Sequence, residues 1–414
     1  MADITRRTAS QAGAAATLAA SAAGPAVAAR PAPDVVVVGA GVFGAWTARA
    51  LQRLGRQVLL VDAWGPGHAR SSSGGESRLI RGSYGADSIY AGFAWHSLAE
   101  WKALSARADL PLFHPCGVLF FFPADEDYVA TTIEVHRRLS LTTRILEGAE
   151  LRRRFPQIAF DDAEVGLFEP EFGALMARRS VATLVAEFVA AGGEYRQGAV
   201  APPEEAGDAL RHVTLEDGTR LSAEQFVFAC GPWLPKLFPA LLGRRLFATR
   251  QEVFFFATRP GDRSFGPDRF PGWVDFSDGD SFYGFPDLEG RGVKIASDML
   301  GPPIDPDSDD RTPSQWPLEG ARAYLERRFP ALAGQPLSES RVCQYENSAD
   351  RDFLIDFHPG MANVLLVGAG SGHGFKHGPA VGRYAAERLT DAMPDPEPRF
   401  SLASKGEPQD GASH

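Results

Sequence analysis

The apolar positions between residues 34 and 62 change period twice. "VVVV" at Val35 to Val38 is a continuous β-branched run, the pattern of a strand buried on both faces. "VFGAWTARALQRLG" follows with apolar residues at helical spacing, and "QVLLVD" returns to a buried strand that ends at Asp62. The order predicts strand, helix, strand. A second passage of this kind, "NVLLVGAGSGHGFKHGPAVGRYAAERL", takes an apolar strand at Val364 to Val367 into glycines and then a helix. Too little chain follows it to build a second nucleotide fold. Between these ends, "QEVFFFATRPGDRSFGPDRFPGWVDF" carries Phe254 to Phe256, Trp273 and Phe276, which either line a pocket or form the core of a sheet.

The junction of the first strand and helix carries chemistry. Gly39, Gly41 and Gly44 give G-x-G-x-x-G, and Asp62 lies 23 residues beyond Gly39. Glycines there permit a tight turn and close backbone approach, so a pyrophosphate can sit on the helix N-terminus while the acid accepts from ribose hydroxyls. This combination predicts a Rossmann-like dinucleotide site. The chain then departs from the compact strand-helix run of nicotinamide-binding proteins and enters "GPGHARSSSGGESRLIRGSYG", which contains Ser72, Arg78 and Arg81. Such a loop can pass amides along a bound FAD and direct two guanidinium groups towards its ring; the alternative is a solvated arginine pair. The late glycines Gly370, Gly372 and Gly374 lead into a helix whose N-terminus suits the flavin pyrimidine ring, where negative charge appears on reduction.

Composition narrows the class. The chain has 44% apolar and 23% charged residues and a formal charge of −10, which argues against a nucleic-acid partner. Three cysteines in 414 residues make no disulfide framework and match no zinc spacing, so no metal is expected. Only five lysines (Lys102, Lys236, Lys294, Lys376, Lys405) occur among 42 basic residues. At the N-terminus, paired Arg6 and Arg7 precede an Ala-rich run and "AVAA", the order of a twin-arginine secretory signal over residues 1–29 and hence of a periplasmic or secreted protein; a disordered leader on a cytoplasmic protein is the alternative. Alanine is too weakly apolar to make that run a good membrane span, so no stable membrane association is expected.

Taken together, "VVVVGAGVFGAWTARAL", "SSSGGESRLIR", "GVLFF", "FVFACGPW", "FYGFP", "VKIAS", "CQYENSADRDFLIDFHP" and "GSGHGFK" resemble, in order, the monomeric sarcosine oxidase and N-methyltryptophan oxidase branch of the D-amino-acid-oxidase-like flavoenzymes. The resemblance implies that Cys343 is joined through sulfur to the flavin 8α-methyl carbon. It implies that Arg81 and Lys376 hold the substrate carboxylate, with Tyr283 and Tyr345 as pocket aromatics and the Gly372 carbonyl facing the substrate amine. Arg78 would lie close to the flavin ring and Lys294 beside it, activating oxygen. Cys116 and Cys230 have no such context and are expected in the core. The chain departs from the branch at Ser73 and Gly74, and at Asp298, where the branch has histidines. Asp298 could pair with Lys294, receive a cationic substrate group, or be a solvated loop residue.

The expected fold is α/β, α+β overall. An FAD-binding part is assembled from 34–85, 145–232 and 340–392, and a mostly antiparallel substrate domain from 86–144 and 233–339. A polar, mobile tail is expected from 393 to 414. The expected activity is that of a monomeric enzyme oxidising a secondary or N-methyl amino acid to an imine, with molecular oxygen as acceptor and hydrogen peroxide as product. The alternatives are a dehydrogenase of the same fold with another acceptor, a nicotinamide-dependent dehydrogenase, and a flavin-binding protein without turnover.

Overall fold

The computed structural model describes residues 32–406, apart from 125, 162, 205–206 and 278–280. The expected signal at 1–29 lies outside these. Val35–Val38 forms β1, Val42–Arg53 forms α1 and Val58–Asp62 forms β2. Val35 and Val37 turn to one side of their sheet and Val36 and Val38 to the other, and both sides are core. That is why the valine run is unbroken: no position along it meets water. The sheet has six strands in the order Leu354–His358, Met361–Gly368, Gln225–Phe228, β1, β2, Glu194–Gln197. Every pairing is parallel except that of Leu354–His358 with its neighbour. The late helix Gly378–Leu389 lies against α1 so closely that a Cβ on Gly382 would stand 2.5 Å from the Trp46 backbone.

A second sheet of eight strands is antiparallel throughout except where Gly272–Asp275 runs parallel to Val118–Phe122. Phe254, Phe256 and Trp273 pack in its core with Tyr324 of the helix Gln315–Arg328, so the core reading of these aromatics holds, whereas Phe276 is partly exposed. Beneath that helix Arg328 donates to Asp275 at 2.8 Å, both fully buried. Removing either partner would take this ion pair away from a buried charge.

The strand Leu337–Ser348 pairs along its length with Leu246–Phe256, in the eight-stranded sheet, and its far end reaches the six-stranded one. There the Ser371 amide donates to the Glu346 carbonyl at 2.8 Å, and the Ala369 amide to Glu346 Oε2 at 2.8 Å. Both sheets belong to one compact unit that starts at Pro33. The segments 145–232 and 340–392, expected in the nucleotide-binding part, are divided between the sheets. Arg144–Glu147, Val165–Glu169 and Leu337–Ser348 pair in the eight-stranded sheet. An apolar strand looks alike in either sheet, so pattern alone does not assign it.

The segment from residue 393 corrects the expectation of a mobile tail, at least as far as residue 406. Phe400 is fully buried, with ring contacts to Phe93, Tyr384 and Phe353 at 5.9, 5.5 and 5.8 Å. Arg399 donates to both oxygens of Asp87, at 2.7 and 2.8 Å, and Lys405 donates to Asp350 at 2.8 Å. Polar, Pro-rich composition hid one anchoring aromatic and two ion pairs. Phe400→Ala is therefore expected to destabilise the protein by about 3–5 kcal/mol. An unshifted denaturant midpoint for that variant would show that the segment is not anchored.

Candidate active site

The turn between β1 and α1 explains its own glycines. Gly39 has φ +103°, and a Cβ there would stand 2.3 Å from the Ala229 carbonyl; on Gly44 it would stand 1.8 Å from the Gly39 carbonyl. Both positions forbid a side chain. Gly41 differs, because its nearest neighbour would be Ser73 Oγ at an ordinary 3.5 Å, so the protein itself leaves room there. That room opens on a cavity of about 120 Å³ lined also by Asp62, Ser72, Cys230, Glu346, Gly370 and Gly374. Two buried oxygens in its wall, Ser72 Oγ and Glu346 Oε1, have no hydrogen-bond partner among the described residues. Asp62 accepts from the amides of Ala40, Trp64 and Gly65 at 2.8, 2.9 and 2.7 Å, so it holds the turn as well as facing the cavity.

The loop after β2 brings in the charged groups. Ser73 Oγ accepts from the Val42 amide at 3.0 Å, capping the first turn of α1. At Gly74 a Cβ would lie 1.9 Å from the His68 carbonyl, so no side chain fits there. Ser77–Ile80, β3, then places Arg78 between two cavities. Its guanidinium donates to the Ser72 and Ser77 carbonyls at 2.7 and 2.8 Å and to Cys343 Sγ at 3.3 Å. Lys294, almost fully buried, donates to the same Ser77 carbonyl at 3.0 Å and lies 4.5 Å from the Phe285 ring. Burial, reinforced by Arg78, holds its pKa well below that of an ordinary lysine. The other two thiols differ from Cys343 in their surroundings. Burial pushes Cys116 up to about 11 and Cys230 well above the usual range, although Cys230 also faces the cofactor-side cavity rather than the core alone.

Arg78 and Tyr345 also border a larger cavity of about 360 Å³ that receives Arg81, Lys376, Tyr283, Phe276, Asp298 and Gly372. Arg81 donates to the Ser83 carbonyl and sits 4.3 Å above the Tyr84 ring; Lys376 Nζ donates to the His373 carbonyl at 2.8 Å and is 5.3 Å from the same ring. Neither has a carboxylate within ion-pair distance among the described residues. Burial, then Arg81, pushes Lys376 well below its usual pKa. Tyr283 and Tyr345 meet through their hydroxyls at 3.4 Å, and burial, then Asp298, raises Tyr283 to about 12. Gly372 has φ +78° and would clash with the Tyr345 ring at 2.7 Å if it carried a Cβ. Ala369 and Ser371 also have positive φ, at 55° and 43°, so the turn is held in conformations costing of order 1 kcal/mol or more each. Asp298 is not paired with Lys294; it faces Arg81, Arg351 and Lys376 instead.

Some of the residues gathered here were not singled out by pattern. Tyr84 OH meets His377 Nε2 at 2.7 Å and His373 Nδ1 at 3.2 Å, and burial keeps both histidines neutral, well below the usual range. Glu169, fully buried, accepts from the Gly82 amide at 3.2 Å and from Ser83 Oγ at 2.7 Å, fixing the loop that presents Arg81. Burial raises Glu346 to about 8. The only available signal was a polar or acidic residue inside an apolar element, as with Glu169 ending "VGLFE" and Glu346 in "CQYENS".

The family model for the DAO group, FAD dependent oxidoreductases, matches residues 34–388. The chain belongs to the DAO family of FAD-dependent oxidoreductases. This oxidoreductase is 33% identical over 371 residues to monomeric sarcosine oxidase of Bacillus sp. (strain B-0618), covering 86% of this chain and 91% of that protein. It is 31% identical to N-methyl-L-tryptophan oxidase of Salmonella arizonae, covering 87% and 95%. Among solved structures, L-proline dehydrogenase from P. horikoshii superposes with a TM-score of 0.79 at 19% identity, covering 91% of this chain and 99% of the other. NikD, an amino acid oxidase of nikkomycin biosynthesis, superposes at 0.74 and 22%, covering 92% and 99%. At those identities the likeness is one of fold, here the parallel sheet with a mostly antiparallel partner.

The residues present fit FAD. Room in front of Gly41 at the N-terminus of α1 suits a pyrophosphate, and the unpartnered Ser72 and Glu346 oxygens face the same space. Gly41→Ala is therefore expected to leave the stability of the flavin-free protein unchanged while weakening flavin retention, whereas Gly44→Ala disrupts folding itself. Equal effects of the two on flavin-free melting would show that the room at Gly41 is structural.

Proposed function

We propose that this oxidoreductase oxidises a secondary or N-methyl amino acid and returns the electrons to molecular oxygen. The observation that carries this reading is the pair Arg81 and Lys376, two cations on a cavity wall with no carboxylate of their own among the described residues. An anion must complete them, and a substrate carboxylate has the right charge and size. The names of the relatives, which act on sarcosine and N-methyl-L-tryptophan, support the same class.

Bound FAD would accept a hydride equivalent from the carbon next to nitrogen, leaving an imine that water hydrolyses, and would deliver two electrons with two protons to oxygen as hydrogen peroxide. The chain's part is to bind, orient and hold charge. Arg81 offers a planar fork and Lys376 a point charge to the carboxylate. Tyr283 and Tyr345, kept protonated by burial, wall the reacting carbon, and the narrow turn at Gly372 presents backbone to the amine. An amine bound neutral needs no strong base. Lys294 holds a compact positive charge beside Arg78 and Tyr283, where oxygen would take its first electron. Cys343, steadied by Arg78 at 3.3 Å, is proposed as a covalent tether for the flavin. The enzyme is proposed to act as a monomer.

If Cys343 carries the flavin, acid-precipitated protein should stay yellow and Cys343→Ala should release its colour. Complete release from the unsubstituted enzyme would dismiss the tether. The two half-reactions separate the other roles. Arg81→Ala should weaken substrate binding at least tenfold, about 1.4 kcal/mol, in anaerobic reduction. Lys294→Met should spare that step and slow reoxidation by oxygen about a hundredfold, about 2.7 kcal/mol. Because the Lys294 pKa is lowered, its cation is lost as pH rises through a value below the ordinary lysine range, and reoxidation should slow there in the unsubstituted enzyme but not in Lys294→Met. Unaffected reoxidation in Lys294→Met would remove Lys294 from the oxygen reaction, and sluggish reoxidation of the unsubstituted enzyme in air would remove oxygen as the acceptor.

A further inference from the structure

The cavity that receives Arg81 and Lys376 also has acidic groups on its wall: Asp87, Asp298, Asp350 and Asp352. All but one are committed elsewhere. Asp87 takes two bonds from Arg399 and caps the helix Ser88–Arg107, Asp350 accepts from Lys405 at 2.8 Å, and Asp352 accepts from Tyr90 OH at 2.8 Å. The Asp298 carboxylate has no hydrogen bond or ion pair among the described residues, and only its amide is fixed, donating to the Ser281 carbonyl at 2.9 Å. It follows the strand Val293–Ser297 directly, so the strand that carries Lys294 also delivers this acid to the cavity. Its side chain is open to the cavity solvent, yet it acts electrostatically on both Tyr283 and Tyr345 and is acted on by Arg81, Arg351 and Lys376. It therefore lies on the wall of the same cavity as the cations.

The wall of this cavity bears the cations Arg78, Arg81, Arg351 and Lys376 and, facing them, one carboxylate without a hydrogen bond or ion pair among the described residues, so it is complementary to a molecule that carries both an anion and a cation. The carboxylate of an amino acid meets Arg81 and Lys376, and an amine poised for oxidation is neutral. The cation that answers Asp298 therefore belongs to another part of the substrate. Val274, Phe276 and Phe285 on the same wall can cover a methylene stem whose charged end stays wet. Resting on the proposed oxidation of N-methyl amino acids, we infer that Asp298 selects substrates whose side chain ends in an ammonium or guanidinium group, so that N-methylated basic amino acids are favoured over neutral ones of equal length.

The test compares Nα-methyl-lysine with Nα-methyl-norleucine, which have side chains of similar length with and without the charge. Dissociation constants are read from perturbation of the flavin spectrum under anaerobic conditions, and kcat/KM from peroxide release. The holoenzyme should prefer the lysine derivative at least tenfold in both, and Asp298→Asn should abolish that preference, with a loss for the lysine derivative at least tenfold larger than any change for the norleucine derivative. Equal binding of the two by the unsubstituted enzyme would overturn the inference. So would Asp298→Asn weakening both equally, because the acid would then serve the reacting amine or the fold. Asp298→Glu should restore part of the preference, and a failure to do so with intact norleucine turnover would also count against it. Should neither compound be oxidised, the proposed reaction fails, and the two dissociation constants still decide the role of Asp298.

Discussion

Everything at this site depends on a short connection between two sheets. Glu346 lies at the end of a long antiparallel strand, and it accepts through both its carbonyl and its carboxyl from the turn that leaves the last parallel strand. One sheet contributes Cys343 and Tyr345, the other Gly372 and Lys376, and these two bonds set their separation. The turn is held with Ala369, Ser371 and Gly372 at positive φ. Burial keeps the Glu346 carboxyl protonated to about pH 8, so the connection carries no charge into the cofactor cavity at neutral pH.

That neutrality matters because the rest of the site is strongly positive inside a chain with a formal charge of −10. Arg78, Arg81, Lys294 and Lys376 converge with carbonyl oxygens and aromatic rings as partners rather than carboxylates. His373 and His377 add none, since burial and Lys376 keep them neutral. A concentration of buried cations is unfavourable until anions arrive. The carboxylate of the proposed substrate would be such an anion, which would make the polypeptide complementary to its loaded state rather than to its empty one.

Much of this was legible in the residues, and the exceptions have physical causes. The β1-α1-β2 unit was plain because a strand buried on both faces and a glycine turn each impose a strict pattern at short range. Cys343 and Arg78 are 265 residues apart and Lys294 and Ser77 are 217 apart, so sequence alone could pair them only through a resemblance. The division of 145–232 and 340–392 among several sheets was not legible, because apolar strands do not record their neighbours. Phe400 was overlooked because a single aromatic in a polar, proline-rich stretch leaves no periodicity. Glu169 and Tyr84 support Arg81 from positions that look like ordinary core until the fold is known.

The anchored C-terminal segment sets the order of events in biosynthesis. Lys405 and Arg399 grip Asp350 and Asp87, acids on the wall of the substrate cavity, and Gly370 to Lys376 come only slightly earlier in the chain. A chain still on the ribosome, with its last few dozen residues inside the exit tunnel, has β1 and α1 but neither the late glycine turn nor this strap. The glycine turn after β1 thus emerges hundreds of residues before the late glycines that line the same cavity. Truncation from the C-terminus removes support for the substrate-cavity wall before it reaches the late glycines that line the cofactor cavity.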